Sequence, residues 1–178
     1  MKRNQTASLI LPMHGLRARL MLQLVQIAYS VYRRFYKRGK RAWQQSRAEL
    51  RRRPAGSLGR SLAAFLDAGG FELMPRFEDH DVFHVLLGYG PDLPAEACLQ
   101  YCLLGNGKRS VNVYGTVLLA ALVFPEHWGA FRRAYERGRR ARPFTHWDFE
   151  YLLNEPVVRL RSLIFQNTPD DEAFSLDF

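Results

Sequence analysis

The sequence predicts an all-α fold, a single-domain helical bundle with a metal-binding helical hairpin. Three observations predict it. Nearly every stretch between glycine and proline punctuation carries helix caps or helical spacing, and alternating strand patterns are missing. A chain of 178 residues, 47% hydrophobic, is long enough for one sizeable core. No repeat runs along it, which excludes a solenoid. The composition also excludes a disordered chain, a collagen-like repeat and a disulfide scaffold, since Cys98 and Cys102 are its only cysteines.

Residues 1–15 read as a flexible N-terminus, 16–166 as the helical domain and 167–178 as an acidic tail. Within the domain, a first helix is expected over 16–38, ending near Gly39, and a second from Trp43 to Arg53, before Pro54 and Gly56. Ser57 is placed to cap a third helix whose apolar face is Leu62, Phe65 and Leu66, and Gly69-Gly70 ends it. After Pro75, Glu78 and Asp79 suit the N-terminus of a helix that runs to Gly88. The Gly88-Tyr89-Gly90-Pro91 turn reverses the chain into a return helix from Leu93, closed at Gly105-Asn106-Gly107. Val111 to Phe124 is a largely apolar run that suits a strand pair or a buried helix, and with no alternating partner strands elsewhere a buried helix is expected. Pro125 opens an arginine-rich amphipathic helix to about Arg137, and a last helix is expected from His146 to Phe165.

Charge is unevenly placed. The first 60 residues carry 15 Lys/Arg and one acid, Glu49, whereas residues 61–178 carry 11 bases and 16 acids. Within that basic third, the uncharged run Leu20 to Tyr32 is too short to span a bilayer but long enough to lie in its surface. Arg17, Arg19, Arg33, Arg34, Lys37 and Arg38 flank it, a pattern suited to an anionic membrane surface and equally to a core helix with a solvated basic end. An arginine-rich, acid-poor start is also that of a mitochondrial transit segment. No nucleic-acid recognition motif follows, so no nucleic-acid partner is expected.

The chemistry concentrates in Glu78 to Glu96. On a helix His80 and His84 share a face, and Asp81 stands about 100° round from His80. The turn at 88–91 lets Glu96 return beside His84. Two imidazoles with one or two carboxylates form the donor set of a divalent metal, zinc first, with iron, manganese or cobalt as alternatives. His80, Asp81, His84 and Glu96 are thus the candidate ligands, and Glu96 and Asp81 the candidate catalytic residues. Asp81 either ligates or accepts from an imidazole N–H. A lone histidine on a helix is more often structural, and what lifts this pair above that reading is the carboxylates on either side.

His-Asp-x-x-His followed by eleven residues and Glu resembles the signature of the coenzyme Q (ubiquinone) biosynthesis protein 4 family. Two further blocks carry the resemblance, GSLGRSLAAFLD at 56–67 and RGRRARPFTHWDFEYLLNEPVVRLR at 137–161, so that it covers roughly residues 50–165. The resemblance implies metal ligands at His80, Asp81, His84 and Glu96, an all-helical fold and peripheral membrane association. It also implies a role in removing the C1 carboxylate of a polyprenylated hydroxybenzoate ring, with hydroxylation at that carbon. The expected partners are a polyprenylated aromatic lipid, an anionic membrane surface, other quinone biosynthesis proteins and a second copy in a homodimer. The expected place is the cytoplasmic face of a bacterial inner membrane, or the matrix side of the mitochondrial inner membrane. A non-catalytic prenyl-lipid-binding scaffold and, more distantly, a metal-dependent phosphohydrolase share the same residues.

Phe83, Leu86, Leu87, Leu99, Leu103 and Tyr114 either line a tunnel for a polyisoprenoid tail or form ordinary core. Arg132, Arg133, Arg137, Arg139, Arg140 and Arg142 suit lipid phosphates or an acidic partner, or are simply a solvated face. Cys98 and Cys102 have neither redox nor zinc spacing and are expected to be buried packing.

Overall fold

A computed structural model of the protein describes residues 41–165, so the expectations for residues 1–40 and for the acidic tail lie outside the described residues. Ser46 starts the first described helix, α1 (Arg47–Arg51): its hydroxyl accepts from the Glu49 N–H, and the Glu49 carboxylate accepts in return from the Ser46 N–H at 2.6 Å. The helix begins later than Trp43 because this box sets its start. The N–H groups of Trp43 and Gln44 go instead to the carboxylates of Glu78 (3.0 Å) and Glu150 (3.2 Å).

Helix α2 (Leu58–Gly69) is capped by the buried Ser57 and stopped by Gly70, whose φ of 63° is left-handed. Leu58, Leu62 and Leu66 are fully buried along one face. Its first turn docks on the C-terminal part of the chain: Leu58 N–H donates to Glu155 O and Gly59 N–H to Leu153 O, both at 2.8 Å. A β-carbon on Gly59 would stand 3.0 Å from Leu153 O, so the two GSLGR glycines serve a turn and a close approach.

Helices α3 (Glu78–Leu87) and α4 (Leu93–Gly105) follow, with Gly88 left-handed at the end of α3 and Asp92 capping α4 through the Ala95 N–H. They form a loose hairpin. They touch little along their length, and α4 packs mainly on α5 (Val111–Val123) and α6 (Trp128–Arg140). The α4–α6 approach is close enough to require glycine on both sides. A β-carbon on Gly105 would collide with Tyr135 O, and one on Gly138 with Cys102 O. Cys98 and Cys102 are buried there and form no disulfide, in the packing role expected of them.

Three expectations are corrected. Helix α5 exists but is not buried: only Val113 and Ala120 are, while Val111, Leu118 and Leu122 are 68%, 64% and 72% exposed. Tyr114, expected among the inward-facing residues, is exposed with them. The reason is position. α4 is already covered by α6, and α5 meets it along one edge only. The last helix, α7, spans Val157–Phe165 and not the whole of 146–165. Pro156 disfavours helix at the residue before it, and the carbonyls of Leu153 and Glu155 are taken by α2. The arginine-rich helix starts at Trp128, after a single 3₁₀ turn over Pro125–His127, and continues to Arg140.

The core is continuous through α2, α3, α4, α6 and the 144–165 segment, with Phe83 edge-on to Phe144 and Phe149. Phe83, Leu86, Leu87, Leu99 and Leu103 are all buried within it. Seven α-helices, the 3₁₀ turn at Pro125–His127 and one isolated bridge, Ser57 to Pro156, make up the regular structure of the described residues. The all-α, single-domain prediction therefore holds. None of these helices is long and apolar enough to cross a membrane.

Candidate metal centre

The site is built where α3 faces the first turns of α4. His80 and His84, one turn apart on α3, present their Nε2 atoms 3.2 Å from each other. Glu96 brings its Oε2 to 3.1 Å from His84 Nε2 and 3.4 Å from His80 Nε2. Three donor atoms thus form a nearly equilateral triangle. Tetrahedral coordination with bonds of about 2.0–2.1 Å separates neighbouring donors by about 3.3–3.4 Å, so the triangle is already of the size that one zinc-like ion requires.

Neighbouring groups fix each ligand. The Tyr89 carbonyl accepts from His84 Nδ1 at 3.0 Å, which leaves the Nε2 lone pair of the neutral ring directed at the site. Phe65 stacks on the same imidazole, with ring centroids 5.1 Å apart. The Gln100 side-chain amide donates to Glu96 Oε1 at 2.9 Å, so that the other carboxylate oxygen faces the histidines. His84 is buried, whereas His80 and Glu96 are 33% and 26% exposed, so the triangle has one side open to approach.

Electrostatics follow from this grouping. Burial alone would push the His80 imidazole down, but the Glu96 carboxylate beside it outweighs burial and holds it above its ordinary range. Burial would likewise raise Glu96, and the two imidazoles overcome it to hold the carboxyl well below the usual carboxylate range. The cluster therefore keeps an anionic carboxylate against a proton that a metal ion would replace.

Of the four sequence-predicted ligands, the structure brings together His80, His84 and Glu96. Asp81 is not among them. It stays half-buried beside the histidines, and desolvation pushes its carboxyl up to about 6 against their pull. The His-Asp doublet is thus divided, with His80 in the cluster and Asp81 next to it. Sequence reading missed Gln100, although its i,i+4 spacing from Glu96 is the signal that finds such pairs. It also missed Glu78, which is buried with Oε1 accepting from Trp43 and Oε2 without a partner among the described residues. The Tyr89 carbonyl leaves no side-chain signature to read.

No protein-family model and no curated protein matches the chain. A solved structure does: a "Putative ubiquinone biosynthesis protein" from Nostoc punctiforme is 19% identical, covering 86% of this chain and 83% of its own, with a TM-score of 0.57. At that identity the likeness shows the fold, which this chain shares over most of its length.

Proposed function

We propose that the protein is a metal-dependent enzyme of ubiquinone biosynthesis, acting at a membrane surface on a polyprenylated hydroxybenzoate to remove its C1 carboxylate. The observation that carries this reading is the triangle of His80 Nε2, His84 Nε2 and Glu96 Oε2, open on one side. The three sequence blocks that resemble the coenzyme Q biosynthesis protein 4 family support it, as does a fold neighbour whose name points to the same biosynthesis. A divalent ion held by these residues supplies Lewis acidity toward an oxygen of the ring substrate.

The chain's own residues do the rest. His84 is locked in one tautomer by the Tyr89 carbonyl, and Gln100 prevents Glu96 from turning away, so the donor set is organised before anything binds. Asp81 stands half-buried beside them, its carboxyl pushed up by desolvation, and is the candidate group to pass a proton to or from the site. In the reaction the bond between ring and carboxylate carbon would break, carbon dioxide would leave, and the electron pair left at the ring carbon would take up a proton. Placing a hydroxyl at that carbon is a two-electron oxidation and needs an outside oxidant such as dioxygen.

The test is quinone profiling in cells. A strain lacking the gene is expected to accumulate a carboxylated, prenylated ring and to make no quinone. Complementation with Glu96→Gln at native expression is expected to leave that block in place, because the amide keeps the shape and removes the anionic ligand. Full quinone production from Glu96→Gln would contradict catalysis and favour the non-catalytic scaffold.

A further inference from the structure

We infer that the outer face of α5, continued by the start of α6, is the surface that docks on an anionic lipid bilayer. The inference rests on the proposed reading only in placing the protein at a membrane. Helix α5 contains no charged residue over 13 positions. At 100° per residue, Val111, Tyr114, Gly115, Leu118 and Leu122 fall within an arc of about 100°, and Val113 and Ala120 point the opposite way. The exposures obey that division: the first group is exposed and the second is buried. An apolar stripe about three turns long on a helix surface marks an interaction site, since scattered single residues are the ordinary case.

The chemistry around the stripe selects the partner. Trp128, 54% exposed, lies against the end of α5, its indole N–H donating to Ala121 O at 3.2 Å. At helical spacing from it along α6 stand Arg132 and Tyr135, both exposed. At the other end Tyr114 accepts from Arg109 at 3.2 Å. Aliphatic side chains in the middle, Trp and Tyr beside them and arginines beyond reproduce the layers of a bilayer surface: hydrocarbon, interface and phosphate. Residues 107–142 hold eight bases and two acids, and one of those acids, Glu136, is bound to Arg139. Pairing two copies through this face would bring like-charged sets together, whereas anionic headgroups neutralise them.

The experiment uses the full chain and vesicles of phosphatidylcholine with about one third phosphatidylglycerol. Because residues 1–40 are present in every variant, differences report on α5. Leu118→Gln/Leu122→Gln is expected to lower vesicle partitioning about tenfold or more, since two apolar side chains leave the hydrocarbon. Arg109→Gln/Arg132→Gln is expected to lower it less and to flatten its dependence on salt. Brominated lipids should quench the fluorescence of the bound protein, and Trp128→Phe should remove most of that quenching, because Trp43 and Trp147 are only partly exposed. His84→Ala should partition as wild type does, which separates this result from the fate of the metal centre. Equal partitioning of the leucine variant, or undiminished quenching in Trp128→Phe, overturns the inference. A dimer that becomes a monomer in the leucine variant, with partitioning unchanged, assigns the face to a second copy and overturns it as well.

Discussion

Helices α4 and α5 are each 13 residues long and both read as apolar, yet one lies at the centre of the molecule and the other on its surface. In α4, Ala95 and every residue from Ala97 to Leu103 is buried. In α5 only Val113 and Ala120 are. Hydrophobicity along a sequence states what a segment would gain by leaving water, and it does not name what covers the segment. α4 is covered by α5 on one side, by α6 on another and by α3 at the metal centre, so its partners come from within the chain. The outer face of α5 stays exposed among the described residues, and it is the face inferred above to meet a bilayer.

Truncating each helix at matched positions separates them most strongly. Leu103→Ala in α4 is expected to cost about 2–5 kcal/mol, as a fully buried leucine does. Leu118→Ala in α5 is expected to stay within about 0.5 kcal/mol, as for other surface positions. Both are read from urea denaturation, and comparable losses would contradict the exposed placement of α5. The glycines give the next contrast. Gly138→Ala, which forces a methyl onto the Cys102 carbonyl of α4, should cost at least the upper part of about 1–3 kcal/mol, because backbone cannot rotate away.

Gln100→Leu is expected to weaken metal affinity about tenfold, measured by competition with a chelator, while the helical circular dichroism persists. The smallest effect has the opposite sign. Gly115→Ala on the open face of α5, where a β-carbon meets nothing within 4 Å, should stabilise by about 0.5–1 kcal/mol. A loss there would mean that another surface of the isolated protein already lies against this glycine.

Much of this was legible from local signals. Ser57, the turn at 88–91 and the left-handed Gly70 and Gly88 mark helix ends by chemistry confined to a few residues, and those boundaries agree with expectation. The i,i+4 histidines and a turn of fixed length made Glu96 a candidate ligand from spacing alone, and the structure places its carboxylate beside both imidazoles. What could not be read depends on residues distant in sequence. The start of the final helix is legible at Pro156, which the expected span passes over, whereas the capture of the Leu153 and Glu155 carbonyls by α2, about a hundred residues earlier in the chain, has no local signal. The exposure of α5 depends on α6 having covered α4. The place of Asp81 beside the ligand cluster, and not in it, agrees with its position about 100° round the helix from His80.

The central claim is that His80, His84 and Glu96 hold one metal ion, and metal analysis of the purified chain tests it most directly. About one divalent ion per chain is expected, lost in His80→Ala/His84→Ala with the helical circular dichroism largely kept. Affinity should fall as pH is lowered, because the ion displaces a proton that Glu96 holds on His80. With His80 raised from its ordinary 6.5, that fall should begin above pH 6.5. Stoichiometric metal persisting in the double histidine variant would contradict the account.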